Sequence, residues 1–193
     1  MDPKRQRNQM NSSPLWRDSE PKRTESDFTM TINILKGDIT RQNVDAIVNS
    51  ANPSLLAGGG VCGAIHKAAG HELETACKLI GRCSVGYAVV TPAFGLPAKF
   101  VIHAVGPRWL DGNRGEPELL ERCYESIFTL AAEKDLQSLA IPSISTGIYH
   151  YPINAAAEIA IRVAQRHDRP ERLVQFICFD DATLEAYQTA LGH

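Results

Sequence analysis

The chain has 193 residues, of which 44% are hydrophobic and 22% charged, ordinary proportions for one globular domain long enough to bury a core. Its formal charge of -2 at pH 7 provides no basic field for a nucleic-acid backbone, and no apolar run reaches the length of a membrane span. Residues 1–28 are polar and proline-punctuated, which predicts a disordered or loosely packed tail ahead of a domain at 29–193, with Leu15 and Trp16 able to dock on it. The amino terminus lacks the apolar segment of a secretory signal, so a cytoplasmic location is expected.

From Phe28 onward, short apolar runs alternate with helical patterns. Strands are predicted at 30–36, 45–50, 87–92, 99–105, 138–144 and 173–179, several continuously apolar as in strands covered on both faces. A helix at 61–69 is expected to continue into 72–79, followed by helices at 116–135, 152–167 and 182–191. The order predicts a three-layer α/β/α domain with a mixed, largely parallel central sheet. Such sheets hold ligands beyond the carboxyl ends of their strands, which singles out the loops after Lys36, Ser50, Ile144 and Phe179.

The five cysteines (Cys62, Cys77, Cys83, Cys123, Cys178) form an odd set without a C-x-x-C pair, which argues for reduced core thiols over a disulfide framework or a zinc site. His66 and His71 lack a third ligand at metal spacing, His103 on its apolar strand reads as structural, and His150 and His167 read as exposed. No metal and no cofactor is expected.

Gly58, Gly60 and Gly63 satisfy G-x-G-x-x-G, but "ANPSLLA" separates them from the preceding strand and no acid ends a strand downstream. That context excludes a dinucleotide fingerprint. The glycines still permit close approach to the main chain, and the N–H groups of Gly59, Gly60 and Val61 at a helix start favour an anion. A second loop, "SISTGIYHYP", follows a buried strand and adds Ser145, Thr146 and Gly147. Two such loops at strand ends suit a bridging diphosphate.

Together with "KGDIT" and "IHAVGP", the segments "VNSANPSLLAGGGVCGAIHKAAG" and "IPSISTGIYHYP" resemble the macrodomain family, specifically its MacroD-type branch, over about residues 31–191. The resemblance implies binding of ADP-ribose, free or on mono-ADP-ribosylated proteins, with hydrolysis of its esters on acidic side chains and of O-acetyl-ADP-ribose. By that resemblance Asp38 accepts from the adenine amine, Ile39 adds a main-chain contact and Phe179 stacks on the base. Asn52 binds the distal ribose, with Asn49 as scaffold. Gly58, Gly59, Gly60 and Val61 on one side, and Ser145, Thr146, Gly147, Ile148 and Tyr149 on the other, enclose the diphosphate. Asn52, Gly60, Cys62 and Tyr149 form the implied catalytic set. A monomer is expected.

Cys62 stands where the MacroD-type pattern carries an aspartate that orients the attacking water. An ordinary thiol, with a pKa near 8.5, is a poor proton acceptor at pH 7. Three arrangements stay open: the ligand's own phosphate activates the water beside a passive Cys62, the domain is a non-catalytic ADP-ribose reader, or Cys62 acts as a thiolate nucleophile.

Overall fold

The computed structural model describes residues 30–167 and 169–192; the predicted tail at 1–28 lies outside them. Strands β1 (Thr31–Lys36), β2 (Val44–Ser50), β3 (Tyr87–Pro92), β4 (Ala98–Val105), β5 (Ser138–Pro142) and β6 (Leu173–Cys178) form one sheet in the order β1-β6-β5-β2-β4-β3. Every neighbouring pair is parallel except β3 with β4. Helices α1 (Gly60–Ala69), α2 (His71–Ile80), α3 (Glu116–Glu133), α4 (Ile153–Arg166) and α5 (Asp181–Leu191) complete the domain.

The period-2 alternation of strand side chains divides the core in two. Ala46 and Val48 of β2, Ile102 and Ala104 of β4, and Leu139 and Ile141 of β5 face a cluster with α3, α4 and α5. Ile47, Val101, Val105 and Ala140 face the opposite way, onto α1 and α2 through Ile65, Leu73 and Cys77. Two apolar faces on one sheet require a helical layer on each, and the predicted α/β/α sandwich is the result.

The expected continuous helix over 61–79 is instead two helices. Gly70 adopts a φ of 91°, and the backbone bends there to start α2. His167 is half-buried rather than exposed: its ring stacks on Phe128 at 5.2 Å and pairs with Glu125. Among the described residues no helix is long and apolar enough to cross a membrane. The parallel register brings the carboxyl ends of β1, β6, β5 and β2 to one edge of the sheet, where the predicted ligand loops begin.

Candidate functional site

Two cavities open along that edge. A small lobe of about 140 Å³ is lined by Asn52, Gly58, Gly59, Gly60, Val61, Ser145, Gly147, Ile148 and Tyr149, together with Ser50 and Ala51. A large lobe of about 720 Å³ holds Asp38, Ile39, Thr146 and Phe179, and again Gly60, Val61 and Gly147. The three shared residues form a neck between the lobes, and they come from the two loops expected to enclose a diphosphate.

The glycine loop is shaped by close approach. A Cβ on Gly63 would sit 2.4 Å from the Gly58 carbonyl oxygen, so the loop folds onto the first turn of α1 only because Gly63 has no side chain. Gly60 opens the helix at a φ of 58°. The Gly63 N–H closes the first intrahelical bond, to Gly59. The N–H groups of Gly60 and Val61 have no partner within the helix, and its dipole adds positive potential there.

Asn52 is held before any ligand arrives. Its Nδ2 donates to the Leu56 carbonyl at 2.7 Å, and its Oδ1 accepts from Ser54 Oγ at 2.9 Å and from the Leu56 N–H at 3.3 Å. Across the lobe, Ser145 adopts a φ of 68°, and its buried Oγ has no partner among the described residues. The Thr146 hydroxyl is turned to Ser143, 2.9 Å from its Oγ. Tyr149 is tied to the next loop, where the Trp109 N–H donates to its carbonyl at 2.9 Å.

At the far end of the large lobe, Asp38 caps the short 3-10 turn Ile39–Arg41. Its Oδ1 accepts from both the hydroxyl and the N–H of Thr40, at 2.7 and 2.9 Å. These bonds, the hydroxyl first, hold the carboxyl below the usual aspartate range. Its Oδ2 has only a 3.5 Å contact with Arg41 and is available to a ligand donor. One carboxyl can thus cap the turn through Oδ1 and still offer Oδ2 as an acceptor. Ile39 is buried beneath, while Phe179 is 90% exposed.

Cys62 is the exception among the predicted site residues. The third residue of α1 points back under the loop, leaving the thiol 5% exposed and outside the lining of either lobe. Its Sγ lies 3.7 Å from the Leu56 carbonyl and 3.7 Å from Asn49 Nδ2. Asn49, fully buried, reaches on to His103 Nδ1 at 3.1 Å, and His103 Nε2 meets Thr91 Oγ1 at 3.0 Å. An amide N–H can only donate, so Nδ1 accepts and Nε2–H donates to the threonine. A scaffold chain therefore runs from β3 through β4 and β2 to the floor of the small lobe.

Sequence spacing offered His66 and His71 no third ligand, but the packing gives His66 two other neighbours. The ligand atoms of His66, Cys77 and His103 lie within 4.8 Å of one another, brought together from α1, α2 and β4. Sequence spacing gave no signal of this. Both His103 nitrogens already have partners in Asn49 and Thr91, and Cys77 Sγ lies 4.0 Å from Nδ1 and 3.7 Å from Nε2. That is the geometry of a neutral polar network. Burial lowers the pKa of His66, and burial together with His66 lowers that of His103 to about 4; burial, with Cys62 and Glu74 nearby, raises that of Cys77 to about 11.

Sequence reasoning also missed Lys36, Ala64, Ile153, Asp180 and Thr183 on the large lobe, and Ser50 on the small one. Register could have found Lys36, which pairs with Cys178 immediately before Phe179. A further groove of about 810 Å³ between α4 and α5 bears Glu158 and Glu185 and meets the large lobe at Ile153.

The chain has counterparts among known proteins. A macro domain-containing protein of Chlorobaculum tepidum is 52% identical over 83% of this chain and 95% of its own length. A protein of Enterobacter cloacae named O-acetyl-ADP-ribose deacetylase is 51% identical over 83% of this chain and 93% of its own. Among solved structures, the Oceanobacillus iheyensis macrodomain with ADP superposes with a TM-score of 0.77 at 41% identity, covering 82% of this chain and 88% of that one. The Trypanosoma brucei macrodomain in complex with ADP-ribose gives 0.77 at 35% identity, covering 83% and 69%. The Macro domain family pattern itself matches residues 48–160, the stretch that carries the glycine loop and the Ser145–Tyr149 loop, and the chain belongs to the macro domain family.

Proposed function

We propose that this chain binds ADP-ribose along both lobes and hydrolyses its acyl esters, acting on mono-ADP-ribosylated acidic side chains and on O-acetyl-ADP-ribose. The observation that carries the reading is the neck: Gly60, Val61 and Gly147 are the residues common to the two lobes. A diphosphate held there by main-chain donors places a nucleoside in the larger lobe, against Asp38 and Phe179, and a ribose in the smaller one, against Asn52 and Tyr149. The names of relatives such as the Enterobacter cloacae deacetylase support the hydrolytic part.

In this mechanism a water enters beside Asn52 and the glycine loop. The bound phosphate takes its proton as the oxygen attacks the anomeric carbon of the distal ribose, and the acidic side chain departs as a carboxylate. Cys62, buried behind the loop, supports the floor of the lobe and touches neither water nor substrate. One observation favours a second reading, a binding module without turnover: the small lobe is lined by no Asp, Glu or His.

Single-turnover release of ADP-ribose from a glutamate-linked protein separates the two. The hydrolase releases it, Asn52→Ala slows release about 100-fold through misplacement of the ribose, and Cys62→Ala changes it little. Tight binding without release by the wild type establishes the module instead, and abolition by Cys62→Ala would revive a thiolate nucleophile.

A further inference from the structure

A lobe of about 140 Å³ has room for a pentose and little more, so an acyl group carried by that pentose leaves through the mouth. Ile148, 66% exposed, and half-buried Tyr149 border that mouth. Exposed Arg108 lies beside them, its guanidinium 5.4 Å from the centroid of the Tyr149 ring. Arg114, Arg162, Arg166 and Arg169 each pair with a carboxylate, whereas Arg108 has no such partner among the described residues.

The main chain that follows the cation is also held. The Trp109 N–H is bonded to the Tyr149 carbonyl, and Trp109 packs edge-on against Tyr151 at 4.7 Å. The loop beyond is gathered by Glu116, whose carboxylate accepts from the N–H groups of Leu110, Gly112 and Arg114. A guanidinium without a carboxylate partner, lying over the aromatic ring at the mouth of the lobe, suits recognition of a carboxylate.

We propose that Arg108 and Ile148 form a docking lip for the protein that carries the ADP-ribosyl group, and that Arg108 favours modified side chains flanked by acidic residues. The inference rests on the function proposed above and names its substrate class. An esterified carboxyl is itself neutral, so the negative charge that meets Arg108 comes from neighbouring residues. O-acetyl-ADP-ribose has no such neighbours, and Arg108 does not contribute to its binding.

The test uses two synthetic peptides, each with one ADP-ribosylated glutamate, flanked in one by Asp and Glu and in the other by Lys. Affinity and single-turnover release are measured beside free ADP-ribose and O-acetyl-ADP-ribose. The wild type is expected to prefer the acidic peptide by about fivefold, the size of a good exposed ion pair, with the preference fading as salt rises. Arg108→Ala removes the preference and Arg108→Glu reverses it, while affinity for free ADP-ribose and turnover of O-acetyl-ADP-ribose stay unchanged. A preference that survives Arg108→Glu overturns the proposal. So does an Arg108→Ala variant that weakens ADP-ribose itself, since the residue would then act only through Tyr149. A wild type that binds both peptides and releases neither overturns the hydrolase reading alone, because the affinity ratio still reports on the lip.

Discussion

The small lobe is braced before any ligand arrives, with Asn52 bonded to Ser54 and Leu56, the glycine loop pressed onto α1, and Tyr149 tied to Trp109. The large lobe is about five times its volume and open, with Phe179 exposed and Asp38 half in solvent. Placing a reacting atom tolerates little movement, so a lobe meant for chemistry repays a rigid frame. Grasping a flat base needs only a face and an acceptor, and a mobile aromatic can close after the base has entered. On the proposed function the braced lobe carries the chemistry and the open one the recognition, a division that can be attacked from either side.

The largest effect is expected from the frame's foundation. His103 has its pKa lowered to about 4 by burial and by His66, whereas an unfolded histidine titrates near 6.5. The unfolded chain therefore takes up a proton first as pH falls. The neutral network's stabilisation is fully present above about pH 6.5 and is lost progressively down to about pH 4, a difference of about 3 kcal/mol. Urea unfolding across that window should show the slope, and His103→Gln, less stable at pH 7, should show a shallower one. Equal slopes would mean that the buried histidine does not couple folding to protons.

Next comes Gly63→Ala. The added methyl would meet the Gly58 carbonyl oxygen at 2.4 Å, and since that atom is backbone, the whole glycine loop must move. A strain of about 1–3 kcal/mol predicts roughly 5- to 150-fold weaker ADP-ribose binding by calorimetry, with AMP weakened far less because it does not span the neck. An equal loss for AMP would show that the lobes are not independent.

Much of this division could be read in the chain. The strands came within a residue or two of their ends because apolar runs buried on two faces are distinctive, as 44–50 shows. The misses have local causes. Strand β5 stops at Pro142 instead of 144, since the chain turns there and places Ser145 at positive φ. Strand β6 stops at Cys178 and releases Phe179 outward. The glycine loop and the Ser145–Tyr149 loop were legible because their chemistry is carried by main chain and short residues. The inward turn of Cys62, and the meeting of His66, Cys77 and His103, depend on how α1 and α2 lie on the sheet, which no spacing along the chain encodes.

At the open lobe, Asp38→Asn tests base reading directly. An amide oxygen can still accept from Thr40, which preserves the cap, while the amide nitrogen now presents a donor to the base. A donor facing the adenine amine should weaken ADP-ribose roughly tenfold, the scale of a lost hydrogen bond to a charged group. The hypoxanthine analogue, with an oxo group in place of the amine, should gain relative to it. Unchanged base preference would remove Asp38 from adenine recognition.

The smallest effect is expected at Phe179. Its ring is 90% exposed and gains contacts only when a base lies on it, so Phe179→Ala should leave the unfolding temperature almost unchanged. Stacking contributes about 0.5–1.5 kcal/mol, which predicts a loss of roughly 2- to 12-fold in affinity, the same for AMP, ADP and ADP-ribose. Combining Phe179→Ala with Gly63→Ala then measures the separation of the lobes. Distant, independent sites add to within about 0.5 kcal/mol. Additivity for ADP-ribose means the rigid lobe holds its shape whether or not the base is clasped, whereas a coupling beyond that figure would show that closing Phe179 tightens the glycine loop and that the frame is completed by the ligand.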